Sequence, residues 1–333
     1  MRVGAKVYKT YFLTVGRDKN KLAKLFSVFV CCHDGFAEQM KTFFEKGHHA
    51  AGKGNSLEWV RVRNPLPRGV IFVPPLIGGD LSQQVSSFRC LIRRQYDLVS
   101  FNYSGHGSSS DRFSLGASIR DTLHMLCYAQ RISDQEQLPL LGIASCYSAI
   151  PLLYATNYLA EPLERLVLIN AITEWSPKAV TRSFLTYYRR MFLTQKSLQR
   201  VIAAAGHYVD FLFPGIVKGR DYFGALERRR TRLFKTVSEF FTQKPLEAVR
   251  LKKTPVLCLY ACKDIVLEIF DAGVKIDYEN DIRRVCPQVL FHSVDGDHFL
   301  SLPIARDTAL KSIISFLQFF QDKNDLLCTR THV

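Results

Sequence analysis

The sequence predicts an α/β fold: a mostly parallel central sheet covered by helices, with a helical segment inserted late in the chain. Three observations carry this. Short apolar, β-branched runs alternate with stretches of helical spacing between residues 57 and 170, the pattern of strands joined by crossover helices. One junction, residues 138–154, passes abruptly from a buried-strand composition to a helical one. At residue 171 the alternation stops, and it resumes only after residue 252. A chain of 333 residues, 47% hydrophobic, has room for one large α/β core plus an insertion.

Taken in order, residues 1–56 carry the least pattern. Residues 3–15 suit an early strand, 18–29 a short basic helix, and Gly52-Lys53-Gly54-Asn55 a turn before an exposed alternating strand over 57–63. His33, His48 and His49 read as surface residues. Residues 70–73 form a β-rich run ending in Pro74-Pro75-Leu76-Ile77-Gly78-Gly79. With a helical stretch over 82–95, they make the first βα connection. Residues 97–103 are the next strand. It runs into Ser104-Gly105-His106-Gly107-Ser108-Ser109-Ser110, a flexible small-residue loop without the Lys-Ser/Thr ending or spacing of a nucleotide cradle. Residues 115–132 have helical spacing, 138–144 a strand, 148–158 a helix and 165–170 another buried strand. From 171 the sequence is aromatic, basic and helix-like over 184–192, 198–213 and 222–241, punctuated by Pro177, Pro214-Gly215 and Pro245. Strands return at 255–260 and 289–294, and a helix over 306–320 closes the pattern. The expected organisation is a core over 1–170, a basic helical lid over 171–252 and the rest of the core over 253–333.

The junction at 138–154 has the form of a nucleophile elbow, a strained strand-to-helix turn that presents one reactive side chain. The turn is so tight that the residues two before and two after the nucleophile must be small. Ser145 would be flanked by Ile143 and Tyr147, and Ser148 by Cys146 and Ile150; each pair includes a bulky residue. Cys146 lies between Ala144 and Ser148, both small. Cys146 is therefore the expected nucleophile.

Such a thiol needs a base, and the base needs an acid to orient it. Asp264 follows the strand at 255–260 in Ala-Cys-Lys-Asp, and His298 follows the strand at 289–294 in Gly-Asp-His. In a parallel sheet these strand ends share one edge with the elbow. Asp271, Asp295 and Asp297 are fallback acids, and His292 sits mid-strand, where alternation would bury it. An oxyanion formed on attack needs N–H donors. Tyr147 follows the nucleophile, and Leu76 is the first residue after Val73 able to donate, because Pro74 and Pro75 lack an N–H. His106 and Ser145 are expected to line the substrate site.

Composition narrows the class further. Nine cysteines, with no CxxC pair and no zinc-type His/Cys spacing, suit a reducing, cytoplasmic setting and predict neither a disulfide framework nor a metal. The sequence gives no sign of a cofactor, a secretory leader or a membrane-spanning run. Net charge is +15, and residues 171–255 hold 17 Lys and Arg against 6 Asp and Glu, an excess that implies an anionic partner. No recognition motif points to nucleic acid.

The ordered segments Pro-Pro-Leu-Ile-Gly-Gly, Asn-Tyr-Ser-Gly-His-Gly-Ser, Ala-Ser-Cys-Tyr-Ser, Lys-Asp and Gly-Asp-His resemble the α/β-hydrolase superfamily over residues 57–322, lid included. Within it, Ile-Ala-Ser-Cys-Tyr-Ser-Ala is similar to the elbow of the bacterial lux-type fatty acyl transferases (acyl-carrier-protein thioesterases). Those place Ser where this chain has Cys146. Cysteine also occupies this position in polyhydroxyalkanoate synthases and dienelactone hydrolases. The resemblance implies an acyltransferase or thioesterase acting on fatty acyl thioesters through an acyl-Cys intermediate, with acyl-carrier protein or acyl-CoA as donor. Because an acyl-Cys thioester is nearly isoenergetic with the donor thioester, transfer becomes as accessible as hydrolysis. The aromatic lid would line an acyl tunnel, and its Lys and Arg would meet the acidic carrier, the CoA phosphates or a membrane surface. Two other readings stay open: a Cys-dependent hydrolase of a small ester or lactone, and a binding protein that keeps the hydrolase fold without catalysis.

Overall fold

The computed structural model describes residues 43–51, 55–76, 81–111, 113–173, 244–300 and 302–318. The strand expected over 3–15, the helix over 18–29, His33, most of the turn at 52–55, the glycines at 78 and 79 and nearly all of the lid (174–243) lie outside the described residues. Among the described residues eight strands form one sheet: β1 (Phe43–Ala50), β2 (Ser56–Arg63), β3 (Gly69–Val73), β4 (Tyr96–Phe101), β5 (Leu140–Ser145), β6 (Arg165–Ile169), β7 (Val256–Ala261) and β8 (Val289–Val294). Their spatial order is β1-β2-β4-β3-β5-β6-β7-β8. β1 pairs antiparallel with β2 and β2 antiparallel with β4, and every later pairing is parallel. The C-terminal ends of β3 to β8 therefore share one edge of the sheet.

Strands covered on both faces must be apolar throughout rather than alternating, and β3, β4, β6 and β7 are buried at every position. Successive side chains then serve two separate cores. Val70, Phe72, Ala144, Leu166 and Leu168 face α3 (Leu115–Glu136), α4 (Ala149–Thr156) and α5 (Ala272–Val285). Ile71, Val73, Ile143, Val167 and Ile169 face α2 (Arg89–Arg93) and α6 (Pro303–Gln318). Gly142 is required where β5 meets its crossover: a Cβ there would stand 2.8 Å from Leu163 Cδ1 and 3.0 Å from Leu166 Cδ1.

Ion pairs brace the antiparallel end. Arg61 on β2 donates through Nε and Nη2 to Asp97 Oδ2 on β4 (3.0 and 2.6 Å), and it also pairs with Glu136 at the end of α3. The second oxygen of Asp97 accepts from Asn64 N–H at 2.7 Å, so this buried carboxylate is satisfied on both sides.

Several local expectations change. The helical stretch over 82–95 is two pieces, α1 (Leu81–Ser87) and α2, broken where Phe88 turns into the core. β2 is not exposed: Leu57, Val60, Arg61 and Val62 are buried and the rest half-buried, with β1 and β4 on either side and residues 81–87 packed against it. The loop at 104–110 is stapled to β2 rather than loose: Ser56 N–H donates to Ser110 Oγ, Glu58 N–H to Ser109 Oγ, and Ser108 N–H to Glu58 Oε2. His292 is exposed, since β8 is an edge strand, and it bonds Ser312 Oγ at 3.0 Å. His48 is exposed as expected, but His49 is half-buried against Tyr128. Among the described residues no helix is long and apolar enough to cross a membrane.

Candidate active site

Cys146 lies one residue past β5, at the start of a single 3-10 turn (Cys146–Ser148) that leads into α4. Its φ is 51°, in the left-handed region that a non-glycine residue seldom adopts. The surroundings hold it there. Ser148 Oγ accepts the N–H of Ser145 (3.0 Å) and donates to the Ser145 carbonyl (2.9 Å), closing the turn on itself. Ile172 N–H donates to the Cys146 carbonyl at 3.1 Å. The Tyr147 ring is buried, and its O–H donates to Ser118 Oγ on α3 (2.6 Å), whose own hydroxyl donates to the Leu115 carbonyl. Small residues at 144 and 148 thus do different things: Ala144 clears space beneath the turn, and Ser148 locks it.

The thiol is half-buried and meets His298, whose Nε2 is 3.2 Å from Sγ. The opposite ring nitrogen, Nδ1, is 2.6 Å from Asp264 Oδ2. Asp264 is fully buried, and its other oxygen accepts the N–H groups of Val266 (2.8 Å) and Leu267 (3.0 Å). Nδ1–H therefore donates to the carboxylate, and Nε2 is left to exchange a proton with sulfur. Burial opposes a charge on His298. The Asp264 carboxylate and the Cys146 sulfur on either side of the ring outweigh it, and its pKa stands well above that of an ordinary histidine.

The two turns that carry the base and the acid are bound to each other. Cys262 N–H donates to the Val294 carbonyl (2.9 Å), and Lys263 N–H to that of Gly296 (3.0 Å). A Cβ at Gly296 would stand 2.9 Å from Ala305 Cβ, so glycine is what lets α6 pack beneath the histidine turn.

The structure brings Cys146, His298 and Asp264 together. The remaining candidates stand as follows. Asp271 caps α5, accepting from Gly273 and Val274 N–H, and Asp295 pairs with Lys263 at the surface. Ser145 is half-buried next to the thiol, with its backbone engaged by Ser148. His106 packs against Phe113 (5.0 Å between ring centres), and Phe113 packs against Tyr147 (6.4 Å), which puts His106 one ring away from the elbow. Burial keeps its pKa below the ordinary value. Asp121 accepts the Ser104 N–H at the start of that loop (2.8 Å), and burial pushes its carboxyl up to about 6. Leu76 is half-buried. With Phe72 opposite Gly142 in the β3–β5 register, Leu76 follows Phe72 by as many residues as Cys146 follows Gly142. Among the described residues no group of three or more His, Cys, Asp or Glu is placed to hold a metal ion.

Asn170, not among the residues expected from sequence, also belongs to the site. It ends β6 in a left-handed conformation (φ 45°), is 2% exposed and donates through Nδ2 to the carbonyl of His298 at 2.6 Å. In sequence it is only an amide after an apolar strand, and nothing about its spacing separates it from any loop residue.

No protein-family model matches the chain, and no curated protein matches it significantly. Solved structures do. An esterase of Pyrococcus furiosus aligns with a TM-score of 0.56 at 13% identity, over 83% of this chain and 90% of that one. A thermostable carboxyl esterase of Bacillus coagulans gives 0.54 at 12% identity, over 83% and 98%. A 2-hydroxy-6-oxo-6-phenylhexa-2,4-dienoate hydrolase of Rhodococcus gives 0.52 at 12% identity, over 82% and 98%. At such identities the likeness is one of architecture, and together with the strand order it settles that architecture: the chain has the α/β-hydrolase fold.

Proposed function

We propose that the protein is an acyltransferase or thioesterase that takes fatty acyl groups from acyl-carrier protein or acyl-CoA onto Cys146. One observation carries the reading: a thiol raised on a strained elbow lies 3.2 Å from an imidazole whose far nitrogen is held by a buried carboxylate. Cys146 gives its proton to His298 Nε2 and attacks the thioester carbonyl carbon. The carbonyl π-electrons move onto oxygen, where the N–H groups of Tyr147 and Leu76 receive the charge. Collapse of this intermediate breaks the donor C–S bond. The departing thiolate takes the proton back from His298, and the acyl group stays on Cys146. An acceptor then loses its proton to His298 and attacks the acyl-Cys carbon; the bond from that carbon to Cys146 Sγ breaks, the acylated acceptor leaves, and the sulfur takes the proton from His298. Asp264 keeps the imidazole in one tautomer and supports its charge throughout. His106 and Ser145 border the acyl site, and the basic stretch between 171 and 255 receives the acidic carrier or the CoA phosphates. A cytoplasmic location suits these donors.

A second reading has support from the solved neighbours, two of which are named esterases and one a hydrolase. In it the donor is a small ester or lactone and the acceptor is water, with the same three residues. Intact-mass spectrometry separates the two. The protein is incubated with acyl-CoA, acyl-carrier-protein and short-ester panels, alongside Cys146→Ala. A long-lived acyl increment from the thioester donors, absent in Cys146→Ala, is the expected result. Turnover of short esters alone would support the second reading. Absence of any adduct or turnover, with ligand affinity unchanged in Cys146→Ala, would leave a binding protein on a hydrolase scaffold.

A further inference from the structure

Cys146, Asp264 and His298 come from three different strand ends, and a proton relay tolerates only fractions of an ångström of misplacement. The residues that follow β6 touch the supports of all three. Ile172 N–H donates to the Cys146 carbonyl (3.1 Å). Asn170 Nδ2 donates to the carbonyl of His298 (2.6 Å), and Asn170 Oδ1 accepts the N–H of Ala261 (2.8 Å) at the end of β7. The carbonyl of that same Ala261 accepts the N–H of Asp264 at 3.1 Å. The Asn170 backbone N–H is itself fixed to the Leu259 carbonyl at 2.8 Å. One buried amide therefore spans from the turn that carries the acid to the residue that carries the base. A φ of 45° alone would be met by glycine. The use of both ends of the amide calls for something more.

The geometry points to Asn170 as a positioning residue for the Cys146–His298–Asp264 relay, holding the imidazole at its distance from sulfur without touching the reacting atoms. The inference rests on the Cys146 chemistry proposed above. Two variants suit the backbone. Asn170→Asp keeps an acceptor for Ala261 N–H but faces the His298 carbonyl with an oxygen instead of a donor. Asn170→Gly accepts the positive φ and deletes both bonds.

The primary measurement needs no substrate: the rate of Cys146 alkylation by chloroacetamide as a function of pH, read by intact mass. A loosened imidazole takes the thiol proton less readily, so alkylation slows in both variants. With an acyl donor, kcat falls by about 10- to 100-fold while KM stays within about twofold. Leu163→Ala, a core change that touches none of the three residues, lowers the melting temperature and leaves the alkylation profile in place. A wild-type profile in either folded variant overturns the positioning role, even where Cys146 accepts acyl groups normally. Slowed alkylation in a protein that accepts no acyl group from any donor keeps the positioning role and removes the acyl-transfer reading. Either variant alone decides the matter if the other does not fold.

Discussion

His298 is the residue on which the site's electrostatics converge. Buried between a carboxylate and a sulfur, it is charged more readily than it would be in water, although burial by itself acts against that charge. A folded-state pKa raised above the unfolded value stabilises the fold fully below the unfolded histidine pKa, about 6.5. That contribution is lost as pH rises through the folded value. Asp264→Asn removes the negative partner of Nδ1 and is expected to act in two ways. The imidazole resonances of His298, followed by NMR, titrate at lower pH than in wild type. The melting-temperature gap between wild type and variant is widest at mildly acidic pH and closes toward alkaline pH. A gap that widened with rising pH would contradict the assignment of Asp264 as the partner that holds the charge. Acylation slows in the same variant by about 10² to 10⁴, because the ring loses its fixed tautomer. The place of Cys146 at the turn was legible from its neighbours alone, since the elbow's steric demand at 144 and 148 left one candidate of three. Asn170 was not legible, because its contribution consists of bonds to backbone atoms 91 and 128 residues away in sequence.

At the scale of the element, the elbow is a turn that closes on its own first residue. Ser148 Oγ is buried and serves both the N–H and the C=O of Ser145. Removing it leaves a buried donor and acceptor short of a partner, at about 1–3 kcal/mol. Ser148→Ala is therefore expected to lower the melting temperature measurably and slow acylation, yet still to carry the acyl increment on Cys146 in peptide mapping. Loss of the increment with full stability would instead make Ser148 the nucleophile, one of the alternatives its sequence position permits. Strands covered on both faces were readable because double burial demands unbroken apolar runs, and the run over 165–170 contains β6, buried at every position. Two elements were missed for the complementary reason. β1 is an edge strand of mixed exposure, Phe-Phe-Glu-Lys-Gly-His-His-Ala, with no clean alternation. In α5 the fully buried positions are Tyr278, Ile282 and Val285 in an otherwise charged helix, and its capping residue, Asp271, invites a functional reading in sequence because it follows a strand.

At the scale of the whole molecule, a paired core stands against an unevenly distributed charge. Buried Arg61 at the antiparallel end is paired with Asp97 and Glu136, Arg63 is paired with Glu136, and separate sets of residues pack on the sheet's two faces. Against this, residues 171–255 carry 17 Lys and Arg and 6 Asp and Glu, and the run at 228–232 contributes four arginines within five residues. Composition shows that charge, whereas its arrangement lies outside the described residues. Its consequence is still kinetic and testable. Exposed charges steer an oppositely charged protein and lose that influence within a Debye length, about 8 Å at physiological salt. If the basic segment receives an acidic carrier protein, then kcat/KM for acyl-carrier-protein donors falls steeply with added salt, whereas that for short neutral esters stays flat. Reversing Arg228, Arg229, Arg230 and Arg232 to Glu lowers kcat/KM for the carrier donor by about tenfold or more and flattens its salt dependence, mainly through slower association. The same variant leaves chloroacetamide alkylation of Cys146 untouched, because the relay of Asp264, His298 and Cys146 is built entirely from the strand ends of the core. Equal salt dependence for neutral and carrier-bound donors would place carrier docking elsewhere on the surface, and the excess charge would then have to be explained by a different anionic partner.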